Sequence, residues 1–151
     1  MSEVAEVEVL YHALLNAWNR QDASGMAALF APNGVQIGFD GSQMTGPAEV
    51  VAHLEPIFRD HPTACFVTKV LDRRLIGPDN ALLLAVAGMV PRGGDQLNPQ
   101  ANPVQTLVAS CDEGTWRIEL FQNTPAAWHG RDADRAALTA ELQALADQSQ
   151  P

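Results

Sequence analysis

Few side chains in this 151-residue chain combine a reactive type with a spacing that suits chemistry. His53 stands three residues after Val50 and four before Ile57, so a helix that buries those two turns the imidazole toward the core. Imidazole ordinarily titrates near neutrality, which suits proton transfer in a pocket. A core histidine satisfied by the protein itself is the plainer alternative. Pro56 removes one helical hydrogen bond three residues on, and a kink there would open space beside His53. Asp40 lies between Phe39 and Gly41. As a general base it needs burial to lift its pKa toward neutrality; as part of Asp40-Gly41 it simply makes a hairpin turn. Gln122 and Asn123 are amides at the end of the last strand, where an apolar residue is expected. Such amides either satisfy a buried backbone group or reach into a ligand cavity.

Other chemistries find no support. His12 and His61 fall at helix positions that see solvent, and His129 is in the tail. No His, Cys, Asp or Glu spacing matches a zinc or iron site, so no metal is expected. Gly93-Gly94 lacks the following lysine and helix of a phosphate loop, and no serine nucleophile elbow appears. No cofactor is expected.

The elements that must position these residues follow from periodicity. Val4, Val7, Tyr11, Leu14, Leu15 and Trp18 make an amphipathic first helix. Asp22 caps a short second helix through Met26, Leu29 and Phe30, ended by Pro32 and Gly34. Val35 to Phe39 is a strand that turns at Asp40-Gly41 and returns through Gln43 to Thr45. Gly46-Pro47-Ala48-Glu49 opens a third helix burying Val50, Leu54, Ile57 and Phe58. Strands follow over Cys65–Ile76, Ala81–Val90, Val104–Ser110 and Trp116–Asn123, with Trp116, Ile118 and Leu120 alternating against Arg117, Glu119 and Phe121. Between the middle two lies Pro91–Pro103, long enough to be either a lid or a hairpin tip remote from any pocket. From Asp132 a helix with a thin stripe of Leu138, Leu142 and Leu145 is expected, packed on the domain or on a second copy. The fold class is α+β, an antiparallel meander curved around helices on one face, with a cavity between them. Apolar residues on both strand faces lead us to expect a homodimer formed through the outer sheet face.

Composition bounds the partners. Eighteen acidic against nine basic residues give a formal charge of -9, and Lys69 is the sole lysine. Nucleic acid is therefore not expected as a partner. No run approaches ~18 apolar residues, and the acidic start lacks a signal-peptide pattern, so a membrane association is not expected either. Two cysteines, Cys65 and Cys111, each within an apolar run, fit buried free thiols in a cytoplasmic protein.

The run Trp18…Asp22…Leu29-Phe30-Ala31-Pro32-Asn33-Gly34, then Gly46-Pro47-Ala48, Gln105-Thr106-Leu107-Val108, Trp116-Arg117-Ile118 and Phe121-Gln122-Asn123-Thr124-Pro125, resembles the NTF2-like superfamily. Within it the chain resembles the SnoaL-like branch, most closely the SgcJ/EcaC-type proteins of natural-product (enediyne and polyketide) gene clusters. The similarity covers about residues 5–126, which suggests a domain over 1–126 and a helical extension over 127–151. What it implies is an α+β cone with a deep pocket, commonly dimeric. The fold hosts isomerases, dehydratases, cyclases and non-catalytic domains, so it implies function less. Steroid isomerases of this superfamily use an Asp base and a Tyr-containing oxyanion hole. Here the base position falls at Ile37 and the tyrosine at Leu14, with Tyr11 a turn away, which argues against that mechanism.

The resulting expectation is a small-molecule pocket protein for an apolar, partly oxygenated polyketide or polyene intermediate. Trp18, Phe30, Phe39 and Phe58 would line the cone; Gln105 and Asn123 would orient the ligand; His53 and Asp40 are the catalytic candidates, for cofactor-free isomerisation, cyclisation or dehydration. The alternative is a non-catalytic accessory that chaperones an intermediate or assists a polyketide synthase.

Overall fold

A computed structural model describes residues 2–148. Helix α1 (Glu3–Asn19) starts at Ser2, whose Oγ accepts from the Ala5 N–H at 3.2 Å. Asp22 caps α2 (Ala23–Ala27), accepting from the Gly25 N–H at 2.9 Å. Strands β1 (Phe30–Ile37) and β2 (Gln43–Thr45) form a hairpin leading into α3 (Gly46–Asp60). Helix α3 runs through Pro56, and the Glu49 carboxylate reaches back to accept from the Thr45 N–H at 3.1 Å. Strands β3 (Cys65–Gly77), β4 (Asn80–Val90), β5 (Pro103–Asp112) and β6 (Thr115–Pro125) follow, then α4 (Asp132–Gln148).

The six strands form one curved, unclosed sheet in the order β2-β1-β6-β5-β4-β3. Every neighbouring pair is antiparallel except β1 and β6, which run parallel. The α+β expectation therefore holds. Helices α1 and α3 pack into the concave face, where Tyr11, Leu14, Val50 and Leu54 meet Leu83, Leu107, Ile118 and Phe121. Three of the inward residues of β4 are Ala81, Ala85 and Ala87, each 1% exposed or less. Their small side chains let the helices approach the sheet closely.

Several expectations need correction. Phe30 does not end the second helix. It opens β1, pairing with Ile118, before an irregularity between Phe30 and Val35 that takes up Pro32 and Gly34. A Cβ at Gly34 would sit 2.3 Å from the Ile118 carbonyl, so this bulge needs a residue without one. The alternation in the last strand also slips. Val108 pairs with Leu120 while Ala109 pairs with Ile118, leaving Glu119 as an extra residue. Trp116 and Ile118 point inward, but beyond the bulge Phe121 and Asn123 do so in place of Leu120. The cysteines are free and half-buried, less enclosed than their apolar neighbours suggest.

The segment after β4 first touches the end of α1 through Arg92, which donates to the Asn19 carbonyl, and then folds over the convex face. Leu97 is buried with Val90, Leu142 and Ala146, and its N–H donates to Gln143 Oε1 at 2.8 Å. Gln143 Nε2 in turn donates to the Asp95 carbonyl at 2.9 Å. Leu97 and Leu142 both crowd Gly88, where a Cβ would lie 2.1 Å from Leu97 Cδ2. The thin leucine stripe of α4 thus finds its apolar support on β3, β4 and this loop. Toward the other side, Val104 is 43% exposed. Leu82, Leu84, Val86, Val108 and Leu120 are half-buried around it on the same outward register.

Candidate functional site

The concave face and its helices enclose a cavity of about 240 Å³. One wall is aromatic and aliphatic: Trp18 from α1, Leu54 and Ile57 from α3, Phe66 from β3 and Met89 from β4. The other is the β1–β2 hairpin, contributing Gln36, Phe39, Asp40, Ser42 and Met44. His53 and Asn123 complete the lining. An apolar chamber with a few convergent polar groups is the usual form of a small-molecule site. A larger surface cleft of about 430 Å³ runs beside Arg20, Asp22, Glu55 and Arg59. Its charged side chains are solvent-exposed, with Arg20 paired to Asp22 and Arg59 to Asp60, so it has the character of a solvated groove.

Trp18 is held from both sides. Its indole N–H donates to the Ala64 carbonyl at 2.8 Å. Phe58 meets it edge-on at 5.2 Å between ring centres, and Phe66 lies tilted at 5.4 Å. Stacking of this kind fixes a ring's orientation as well as burying it. Phe58 therefore backs Trp18 and does not line the cavity, contrary to the sequence expectation. Phe30, 2% exposed, is likewise core. Phe39, at 36% exposure, lies on the rim.

Asp40 and His53 are brought to the same chamber. The carboxylate of Asp40 accepts from the Ser42 N–H at 3.0 Å, which closes the hairpin turn. That backbone bond, aided by the Ser42 side chain and by the nearby His53, holds the Asp40 carboxyl below the usual carboxylate range. A base raised toward neutrality is thus not what this environment makes of Asp40. His53 is half-buried on α3 and open to the cavity.

The polar end of the chamber is built in layers. Asn123 is 8% exposed and faces the cavity. Gln105, 1% exposed, sits behind it and donates from Nε2 to Asn123 Oδ1 at 3.1 Å. Behind that, the fully buried Tyr11 hydroxyl donates to Gln105 Oε1 at 2.5 Å. Gln105 is therefore a support, not a lining residue. Burial pushes the Tyr11 phenol well above its ordinary range, with the Thr68 hydroxyl acting more weakly in the opposite sense. The phenol keeps its proton.

Gln36 escapes a sequence reading. It stands between Val35 and Ile37, so alternation alone would send it to solvent. Yet Gln36 pairs with Phe121 on the inward register and is only 4% exposed. Its Oε1 is buried with no hydrogen-bond partner among the described residues. Leaving such a group unpaired costs about 1–3 kcal/mol. Only its register beside the bulged last strand shows which way it points. Among the described residues no three His, Cys, Asp or Glu side chains gather as a metal site would require.

This architecture and the sequence agree on a relationship. The description of the SnoaL-like domain matches residues 11–98, from within α1 to the loop after β4. The chain belongs to the SnoaL-like domain family. Among solved structures, the SnoaL-like fold seen here is similar to a domain of unknown function with a cystatin-like fold from Nostoc punctiforme. The TM-score is 0.76 at 22% identity, covering 96% of each chain. An NTF-2-like protein of unknown function from Shewanella oneidensis aligns with a TM-score of 0.67 and 14% identity, over 82% of this chain and 99% of that one. A ketosteroid isomerase-like protein from Erwinia carotovora aligns with 0.65 and 16%, over 83% and 98%. These likenesses establish the SnoaL-like, NTF2-like fold. No curated protein matches the sequence.

Proposed function

We propose that this SnoaL-like domain binds an apolar, partly oxygenated small molecule in the cone and, with His53 as the proton-transfer group, isomerises, cyclises or dehydrates it without a cofactor. The observation that carries the reading is the cavity itself, where His53 and the amides of Gln36 and Asn123 converge among Trp18, Leu54, Ile57, Phe66 and Met89. The aromatic wall of Trp18 and Phe66 suits a planar or polyunsaturated skeleton. A polyketide or polyene intermediate of bacterial secondary metabolism, in a pathway of the SgcJ/EcaC type, fits that chemistry. The rival role, a non-catalytic accessory to a polyketide synthase, uses the same chamber without turnover.

The test is a panel of polycyclic and polyene ketones, scored first for binding by thermal shift and then for conversion by chromatography. Conversion that falls at least about tenfold in His53→Gln, with the melting temperature unchanged, supports the enzyme. Binding without conversion supports the accessory role. Failure of every member to bind contradicts both.

A further inference from the structure

Asn123, Gln105 and Tyr11 form a line of hydrogen bonds with a direction. The phenol has one proton and gives it to Gln105 Oε1. That leaves Gln105 only its N–H₂ to offer on the other side, where Asn123 Oδ1 accepts. With its carbonyl oxygen turned to Gln105, the other branch of the Asn123 amide, its N–H₂, is the one left for the cavity that the residue lines. Each of the three side chains is less than 9% exposed, so solvent does not compete for these bonds. Burial keeps the Tyr11 phenol protonated, so the direction does not change across the neutral pH range.

We infer that the Tyr11–Gln105–Asn123 line is a directional relay that makes Asn123 a fixed hydrogen-bond donor, so the group recognised at the polar end of the cone is an acceptor, a carbonyl or enolic oxygen. The inference rests on the cone being a ligand site. Tyr11 and Gln105 are positioning residues, since neither reaches the cavity. Gln36 complements the fixed donor. Its amide oxygen has no hydrogen-bond partner among the described residues, and the residue lines the same chamber. The chamber thereby selects for a carbonyl compound. An N–H₂ group aimed at a carbonyl oxygen also stabilises negative charge that develops there, which is the direction needed for enolisation.

Two probes of nearly equal shape separate the possibilities. 1-Indanone offers only an acceptor, and indole only an N–H donor. The wild-type domain is expected to bind 1-indanone about tenfold more tightly than indole, the order of one well-made hydrogen bond. The ¹⁵N–¹H₂ signals of the Asn123 side chain should move on titration with the ketone. Gln105→Glu replaces the amide by a group with acceptors only, so Asn123 must turn its N–H₂ inward and its carbonyl to the cavity; the preference should then fall to unity or reverse. Tyr11→Phe removes only a hydroxyl and provides a milder variant. It should also narrow the ratio and, without ligand, shift the Asn123 side-chain signals. A ratio unaltered by both variants, or a wild-type preference for indole, overturns the relay while leaving the ligand site standing. Binding of neither probe in the cone contradicts the ligand site itself, and the relay's role with it.

Discussion

Asp40 keeps its charge to lower pH than a free aspartate because the Ser42 N–H donates to it, and Asp22 does so because the Gly25 N–H at the start of α2 donates to it. Both folded-state pKa values are depressed relative to the unfolded chain. Their contribution to stability is therefore complete above the ordinary carboxylate range and is lost as pH falls through the depressed values. We predict that the melting temperature declines on acidification below about pH 4, and that this decline is shallower in Asp22→Asn and Asp40→Asn. Equal slopes in wild type and both variants would contradict the assignment. The same residues show how far a sequence can be read at this scale. Asp40 and His53 were recognisable by type and spacing, and both reach the cavity. Gln36 was hidden because its neighbours Val35 and Ile37 look like the inward pair. Tyr11 and Gln105 could be seen as core or site residues, but their hydrogen-bonded order depends on strands far apart in the chain.

Among the elements, α4 is the one whose reason lies elsewhere in the fold. Its apolar stripe is too narrow to hold a helix in water alone. It is received by Val67, Val90 and Leu97 on the convex side, with Leu142 only 1% exposed. Leu142→Ala should lower stability by about 2–5 kcal/mol, the usual range for emptying a buried leucine site. Ending the chain after Ala127 should lower the melting temperature while ketone binding in the cone survives. Selective loss of binding at unchanged stability would instead place α4 in the site. The loop 91–103 follows the same logic, because its Leu97 N–H donates to Gln143 on α4 and its Asn98 N–H to the backbone carbonyl of Met89. Arg92 donates to the carbonyls of Asn19 and Thr63, at 2.8 and 3.2 Å. Strand existence and order of elements were legible from period-two runs and turn residues. The slip at Glu119 was not, because a bulge is decided by pairing with β5, and it alone determines that Asn123 faces inward.

For the molecule as a whole, the convex sheet is the surface with unfinished business. Helix α4 covers its β3–β4 end, while Leu84, Val86, Val104, Val108 and Leu120 remain on an apolar face open to solvent. We expect two copies to join there. Light scattering should give twice the 16.2 kDa chain mass at micromolar concentration, and Leu84→Arg should shift the protein to monomer without unfolding it. A wild-type monomer throughout that range would remove the proposal. The outward side of the sheet would then serve assembly and leave the cone on the inward side unobstructed in each copy.

Binding of a small molecule in the cone can be read directly from methionine methyl groups. Met44 and Met89 line the cavity, whereas Met26 is 1% exposed in the core and is not among its lining residues. In a sample labelled with [methyl-¹³C]methionine, titration with 1-indanone is predicted to move the Met44 and Met89 signals together along one saturable isotherm, with Met26 fixed. Movement of Met26 alone, or no saturable change at Met44 and Met89, would contradict binding in the cone.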